Sequence, residues 1–115
     1  MDWDPKKRFP APWQKHKPVT HVPWADVVKS TKHNVAHYKD GLPQTIEKIE
    51  MECVKKGDEL PRDHPTTRRF WRKLEFVVGA SKGEQTQFVY AEWHKAGGVH
   101  GRPITEAELK IKGMQ

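Results

Sequence analysis

The sequence has a single cysteine, Cys53, among its 115 residues. One cysteine excludes an internal disulfide and a zinc site built from several cysteines. No apolar run approaches the length of a membrane-spanning helix. The chain also lacks a Gly-x-x-x-x-Gly-Lys phosphate loop, a dinucleotide fingerprint and a Gly-x-Ser-x-Gly nucleophile elbow. We therefore expect no membrane span, no bound metal and no cofactor.

The composition is poor in hydrophobic residues and rich in charge. Hydrophobic residues make up 35% of the chain and charged residues 31%, with nine prolines and five tryptophans. A chain of this length forms one domain with one modest core. Its formal net charge is +6, and positive charge favours an anionic partner such as RNA, DNA or an acidic protein.

The pattern of the chain predicts an α+β fold in which N-terminal helices pack on a small antiparallel β-sheet. Residues 1–23 contain five prolines and are predicted to be a basic arm or linker, while residues 24–115 form the single domain. The first predicted elements are a short helix or turn over 24–30 and a helix over 43–56. Strands over 71–78 and 87–93, joined by a loop, come next. A C-terminal helix or turn begins with a capping box at Thr105.

The segment from Tyr90 to Thr105 has the residue types of phosphodiester chemistry. His94 directly follows the second predicted strand and His100 lies beyond a Gly-Gly turn, so the two imidazoles can act as general base and general acid. Lys95 and Arg102 can neutralise charge on phosphate oxygens, and the Thr105 hydroxyl can donate a further hydrogen bond.

Other candidates lie earlier in the chain. His33, beside Lys32, is a third possible proton-transfer group, and Glu75 on the first predicted strand could orient a histidine or serve as base. A basic group either binds the RNA backbone or forms a solvated face; its members are Arg68, Arg69, Arg72 and Lys73. The same choice between function and plain surface applies to each histidine alone.

Thr31-Lys32-His33, the helix that ends at Gly57, a strand followed by Val78-Gly79, and the run from His94 to Pro103 together resemble the C-terminal RNase toxins of bacterial polymorphic and contact-dependent systems. Those domains share the fold of barnase, RelE and the colicin tRNases. The resemblance covers about residues 30–105 and implies a metal-independent endoribonuclease that attacks RNA, often tRNA. It further implies an acidic immunity protein as partner. His33, His94 and His100 would transfer protons, and Lys95 and Arg102 would bind phosphate.

Three functional hypotheses follow from the sequence, of which the third is a protein-binding adaptor that uses the proline- and tryptophan-rich arm. The first is a toxin-like endoribonuclease that forms 2′,3′-cyclic phosphate ends, and that acts in the cytoplasm after delivery from a larger secreted protein. The second is a non-catalytic RNA- or DNA-binding module in which tryptophans, lysines and arginines hold the nucleic acid. The second hypothesis predicts binding without turnover.

Overall fold

The computed structural model describes residues 7–8, 15–95 and 98–115 of the chain. Three helices and eight strands lie within these ranges. The helices are α1 (Trp24–Ser30), α2 (Ile46–Lys56) and α3 (Glu106–Ile111). The strands are β1 (Lys7–Arg8), β2 (His37–Tyr38), β3 (Asp58–Glu59), β4 (Thr67–Lys73), β5 (Gly79–Ser81), β6 (Glu84–Thr86), β7 (Phe88–His94) and β8 (Gly98–Ile104).

Two sheets form the framework. The larger has the strand order β1-β8-β7-β4-β3, and the smaller has the order β2-β5-β6. The β1–β8 pair is parallel, and the other described pairs are antiparallel. The long strands β4, β7 and β8 are the centre of the larger sheet, with Thr67 opposite His94 and Glu92 opposite His100.

Helix α2 packs on one face of the larger sheet. The Thr45 side chain accepts a hydrogen bond from the Lys48 N–H and starts the helix at Ile46, three residues after the predicted start at Pro43. Ile49 and Cys53 are buried as their spacing predicts. Burial raises the pKa of the Cys53 thiol, so this residue belongs to the core rather than to a reactive site.

Residues alternate between the two faces of each strand, so the larger sheet has an apolar cluster on both sides. Phe70, Val89 and Trp93 join the α2 cluster. Tyr90 lies on the opposite face and packs with Leu60, Ile104 and Leu109. Helix α3 therefore covers the second face near Tyr90. Farther along, at the end of β7 and the start of β8, this face is partly open to solvent, and we call it the open face.

The predicted fold class is wrong. The structure consists mainly of antiparallel strands in two sheets with three short helices, and the helices are not an N-terminal layer on one small sheet. Helix α3 follows the last strand. The prediction failed because β2, β3, β5 and β6 have only two or three residues each, too few to display an alternating hydrophobic pattern.

The link between the two predicted strands also differs from the prediction. Residues 79–84 were predicted to be a loop, but β5 and β6 form a hairpin around Lys82 and Gly83, which have φ angles of 54° and 81°. Strand β4 covers 67–73 instead of 71–78. Its pairing with β7 is the antiparallel pairing that the sequence predicts, although the two strands are separated by a second hairpin.

Strand β8 was not predicted at all. Its glycines and Pro103 have low β-propensity and suggested a turn. Among the described residues, β1 pairs only with Gly98 and Val99 of this strand. Pro103 lies opposite Val89 of β7, but on the other edge of β8 no described strand pairs with it. A proline, which has no N–H to donate, is tolerated at such an edge.

About half of the predicted arm, residues 1–23, lies outside the described residues. Lys7 and Arg8 pair with β8. His16 is buried and its Nδ1 is 2.8 Å from the Ala36 carbonyl oxygen. The described part of this segment thus contacts both sheets of the domain.

Candidate active site on the open face of the sheet

The hairpin of β7 and β8 brings His94 and His100 together. Glu92 lies directly opposite His100, and His94, two residues after Glu92, projects from the same face of the sheet. The two Nε2 atoms are 3.0 Å apart. Each of the three side chains is 28–30% exposed, so solvent reaches all of them. We call Glu92, His94 and His100 the histidine cluster.

The two imidazoles meet edge to edge. Their planes are nearly parallel, at 13°, and their centroids are 5.1 Å apart. With the Nε2 atoms only 3.0 Å apart, this separation means that the rings face each other through their Nε2 edges and not through their faces. Such a contact requires one Nε2–H donor and one Nε2 acceptor, so the pair shares one proton between the two edges.

Glu92 contacts both histidines. Its Oε1 is 3.3 Å from His100 Nε2 and 3.7 Å from His94 Nε2, and its Oε2 accepts a 2.6 Å hydrogen bond from the Tyr90 hydroxyl. The hydrogen bond with His100 is the main cause that lowers the pKa of Glu92 to about 2, and the Tyr90 hydrogen bond acts in the same direction against burial. Glu92 is therefore a carboxylate at neutral pH.

Tyr90 and Thr67 support the cluster from outside. Burial and the hydrogen bond to Glu92 raise the pKa of the Tyr90 hydroxyl, which stays protonated and donates. The Thr67 hydroxyl is 3.3 Å from His94 Nδ1. Burial, followed by the neighbouring His100, lowers the pKa of His94. The lowered pKa favours the neutral form of His94.

Arg69 is the basic residue next to the cluster. It pairs with Glu92 in the β4–β7 register and is 8% exposed. Its Nη1 is 3.3 Å from the Asp63 carboxylate, and its Nη2 donates a 2.5 Å hydrogen bond to the Pro61 carbonyl. Its buried Nε has no hydrogen-bond partner among the described residues. Arg69 is therefore held rigidly on the face of the sheet that carries the histidine cluster.

Two further cations surround Tyr90 on this face. Lys112 Nζ is 4.9 Å and the Arg102 guanidinium carbon 5.8 Å from the Tyr90 ring centroid. Arg102 also forms a 3.2 Å ion pair with Glu108 and donates to the Ser81 hydroxyl. Of the predicted site residues, the structure thus brings His94, His100, Arg69 and Arg102 to one face.

Arg68 and Arg72 lie on the opposite face of β4. Arg68 forms a double hydrogen bond with Glu59 and lies over the Phe70 and Trp93 rings. Arg72 forms an ion pair of 3.5 Å with Glu52 of α2. The prediction that the three arginines form one basic group is wrong, because strand alternation separates Arg69 from the other two.

Thr105 has a structural role. Its hydroxyl accepts a hydrogen bond from the Glu108 N–H, and the Glu108 carboxylate accepts one from the Thr105 N–H. This reciprocal capping box is the motif that the sequence predicts at the start of α3. The Thr105 hydroxyl, which the sequence also suggests as a phosphate ligand, is thus part of the helix cap.

The remaining predicted residues lie away from the cluster. His33 and Lys32 are exposed in the turn after α1, beside the β5–β6 turn that Thr31 contacts. Glu75 is exposed and follows the end of β4, whereas His94 pairs with the first residue of β4. The prediction that Glu75 lies on a strand near the histidines is wrong. Lys95 is exposed next to His94, and its N–H bonds to the Thr66 carbonyl.

Glu92, Tyr90 and Thr67 are the site residues that the sequence analysis missed. The signal for two of them was present, because Tyr90, Glu92 and His94 are spaced by two residues and must share one face of a strand. Thr67 could not be found in this way, since its position opposite His94 depends on the β4–β7 register.

The cluster has the donor set of a metal site. One ligand atom from each of Glu92, His94 and His100 lies within 4.8 Å of the other two. His33 and His37 are four residues apart, a spacing that also occurs in metal sites. In the structure, however, His37 Nδ1 is 2.9 Å from the Lys17 carbonyl oxygen.

Comparison with protein-family models, curated proteins and solved structures found no match to this chain. Among the described residues, every helix is too short or too polar to cross a membrane. The function is therefore inferred from the geometry of the open face.

Proposed function

We propose that this protein is a toxin-type endoribonuclease that cleaves RNA by acid–base catalysis without a metal cofactor. The single observation behind the proposal is the contact between the His94 and His100 Nε2 atoms at 3.0 Å, with the Glu92 carboxylate against both. Two accessible imidazoles that share one proton provide a base and an acid in the same place.

The surroundings favour His94 as the base. Its Nδ1–H can donate to the Thr67 hydroxyl at 3.3 Å, which leaves the Nε2 lone pair available for a proton. Glu92 lies closer to His100 than to His94, and a carboxylate stabilises the protonated form of the imidazole that it contacts. The shared proton is accordingly assigned to His100, the acid.

The reaction follows from this assignment. An RNA phosphodiester enters between the rings, which part by rotation about their side-chain bonds. His94 Nε2 accepts the proton of the 2′-hydroxyl, and the 2′-oxygen attacks phosphorus. The bond from phosphorus to the 5′-oxygen breaks as His100 gives its proton to that oxygen. The products are a 2′,3′-cyclic phosphate and a 5′-hydroxyl, and DNA is resistant because it lacks the 2′-hydroxyl.

Positive charge near the cluster suits an anionic substrate. Arg69 is fixed beside Glu92, and Arg102 and Lys112 lie around Tyr90 on the same face. Fixed cations stabilise the charge that develops on the phosphate oxygens in the transition state. The net charge of +6 adds long-range attraction for RNA.

The toxin class of the proposal rests on the sequence resemblance. It carries three further proposals: tRNA as a substrate, action in the cytoplasm after delivery from a larger secreted protein, and an acidic immunity protein that covers the open face. The cations on the open face favour an acidic inhibitor.

The test is to incubate the purified chain with total RNA in excess chelator and to resolve the products on a denaturing gel. We expect discrete fragments from the wild type and none from His94→Ala or His100→Ala. His21→Asn is the matched control: His21 is exposed with a φ of 66°, a conformation that asparagine tolerates. Intact RNA with salt-sensitive binding by the wild type would instead support the non-catalytic binding module.

A further inference from the structure

We infer that Glu92, His94 and His100 form a binding site for one Zn²⁺ ion. Their three ligand atoms form a compact triangle. The two Nε2 atoms are 3.0 Å apart, and Glu92 Oε1 lies 3.3 Å from His100 Nε2 and 3.7 Å from His94 Nε2. Geometry alone thus places three strong zinc donors at one point of the sheet.

The size of the triangle fits a tetrahedral zinc ion. Bonds of about 2.0–2.1 Å to nitrogen and oxygen place neighbouring ligand atoms of a tetrahedron about 3.3 Å apart. A triangle with the observed sides has a common point about 2 Å from all three atoms, which is the bond length that zinc requires. The two Nε2 edges face each other across this gap, and a small rotation of each ring turns its Nε2 lone pair toward the common point.

The donor set selects the metal. Two imidazoles and one carboxylate favour Zn²⁺ and related transition metals over Mg²⁺ and Ca²⁺, which prefer oxygen ligands. Three protein ligands leave the fourth tetrahedral position open. Because the three side chains are 28–30% exposed, that position faces solvent.

Outer-shell hydrogen bonds orient two of the three ligands. The Thr67 hydroxyl contacts His94 Nδ1, and the Tyr90 hydroxyl donates to Glu92 Oε2, the oxygen other than the one that faces the histidines. Such partners fix the ring orientation and the carboxylate in known metal sites. Glu92 and His100 are also cross-strand neighbours in the rigid β7–β8 pair.

Zinc at this site would inhibit the proposed nuclease, and this consequence rests on the proposed function. Coordination occupies the Nε2 lone pairs of both histidines. His94 can then no longer accept a proton from the 2′-hydroxyl, and His100 has no Nε2 proton to donate. The same three residues thus form either an acid–base pair or a zinc site, but not both at once.

Zinc binding is tested by calorimetric titration of ZnCl₂ into chelator-stripped protein at constant pH, without RNA. We expect one equivalent of zinc per wild-type chain. His94→Ala, His100→Ala and Glu92→Gln should each weaken binding by at least about a hundredfold, because loss of a direct ligand exceeds the 10–100-fold cost of losing an outer-shell partner. His21→Asn should bind like the wild type, and millimolar Mg²⁺ should not compete.

Two results would overturn the zinc site: no stoichiometric binding by the wild type, or binding that the three ligand variants leave unchanged. A thermal unfolding scan guards against misfolded variants, since zinc should raise the Tm of the wild type and not that of folded ligand variants. Equal zinc-induced shifts in all of them would also contradict the site.

A parallel RNA-cleavage assay separates this inference from the proposed function. We expect one equivalent of zinc to suppress cleavage and chelator to restore it. Zinc binding without cleavage in any condition would support the site and contradict the nuclease. Cleavage that appears only with zinc would contradict the inhibitory consequence.

Discussion

The two faces of the β4–β7 strand pair differ in what their charged residues do. On the α2 face, Arg68 is paired with Glu59 over two aromatic rings, and Arg72 is paired with Glu52. On the open face, a carboxylate meets two imidazoles that remain accessible to solvent. Adjacent residues of one strand thus have different surroundings, because strand geometry places them on opposite faces. We propose that one face serves stability and the other catalysis.

The largest expected effect is the loss of RNA cleavage when the histidines of the open face are replaced. His94→Ala and His100→Ala should each lower single-turnover RNA cleavage in chelator by at least about a hundredfold, the lower range for loss of a general acid or base. The double variant should be little worse than either single one, because the two act as a unit.

The matched measurement for the histidine variants is chemical denaturation. Each should lower the free energy of unfolding by no more than about 3 kcal/mol, the cost of leaving a partly buried hydrogen-bonding partner such as Glu92 without its contact. Additive losses of cleavage, or large losses of stability, would argue that the pair is structural.

A change on the α2 face should have the opposite profile. Ile49 is 1% exposed in the α2 cluster, so Ile49→Ala should lower the free energy of unfolding by about 2–5 kcal/mol. Cleavage per folded molecule should be preserved. Glu47→Ala, on the exposed side of the same helix, is the control and should change stability by no more than about 0.5 kcal/mol.

Arg69 and Arg72 lie on different faces of β4, so replacing each in turn tests whether only the open face affects cleavage. Arg69→Gln should lower cleavage at least about tenfold through loss of a cation near the reacting phosphate. Arg72→Gln should leave the cleavage rate unchanged and cost at most about 1 kcal/mol of stability, the value of a partly exposed ion pair. Equal effects of the two changes on cleavage would contradict the separation of the faces.

The smallest predicted effect is the pH dependence of the Arg68–Glu59 pair. The hydrogen bond from Arg68 lowers the pKa of Glu59 in the folded state. Its contribution to stability is therefore complete above the unfolded pKa of about 4.3 and is lost as the pH falls through the lower folded pKa. The stability difference between wild type and Glu59→Gln should be at most about 1 kcal/mol at pH 7 and should shrink below about pH 4.3. A difference that grows in acid would reverse the sign of this linkage.

Long periodic elements of the fold were predictable from the sequence, and short or irregular ones were not. Helix α2 follows from its apolar stripe, the C-terminal helix from the Thr105 capping box, and β7 from alternation. Strand β8 has glycine and proline in place of β-branched residues. Its strand conformation depends on pairing with β7, which is tertiary information that local propensity does not contain.

The candidate site was predictable to a similar extent. His94 and His100 were found because unusual residues flank a turn, and the hairpin then brings them together. Glu75 and His33 were predicted from residue type alone, and the structure places both away from the cluster. Glu92 was not predicted, although it is two residues from His94 and residues at that spacing share one face of a strand.

The most direct test of the central claim is the chemistry of the cleaved ends. A defined RNA and the same RNA with one 2′-deoxy nucleotide at the cleavage position are incubated with the protein in chelator, and the fragments are analysed by mass spectrometry. We expect 2′,3′-cyclic phosphate and 5′-hydroxyl ends from the RNA, and no cleavage at the 2′-deoxy position. Cleavage at the 2′-deoxy position, or fragments with 5′-phosphate ends, would contradict catalysis through the 2′-hydroxyl by His94 and His100.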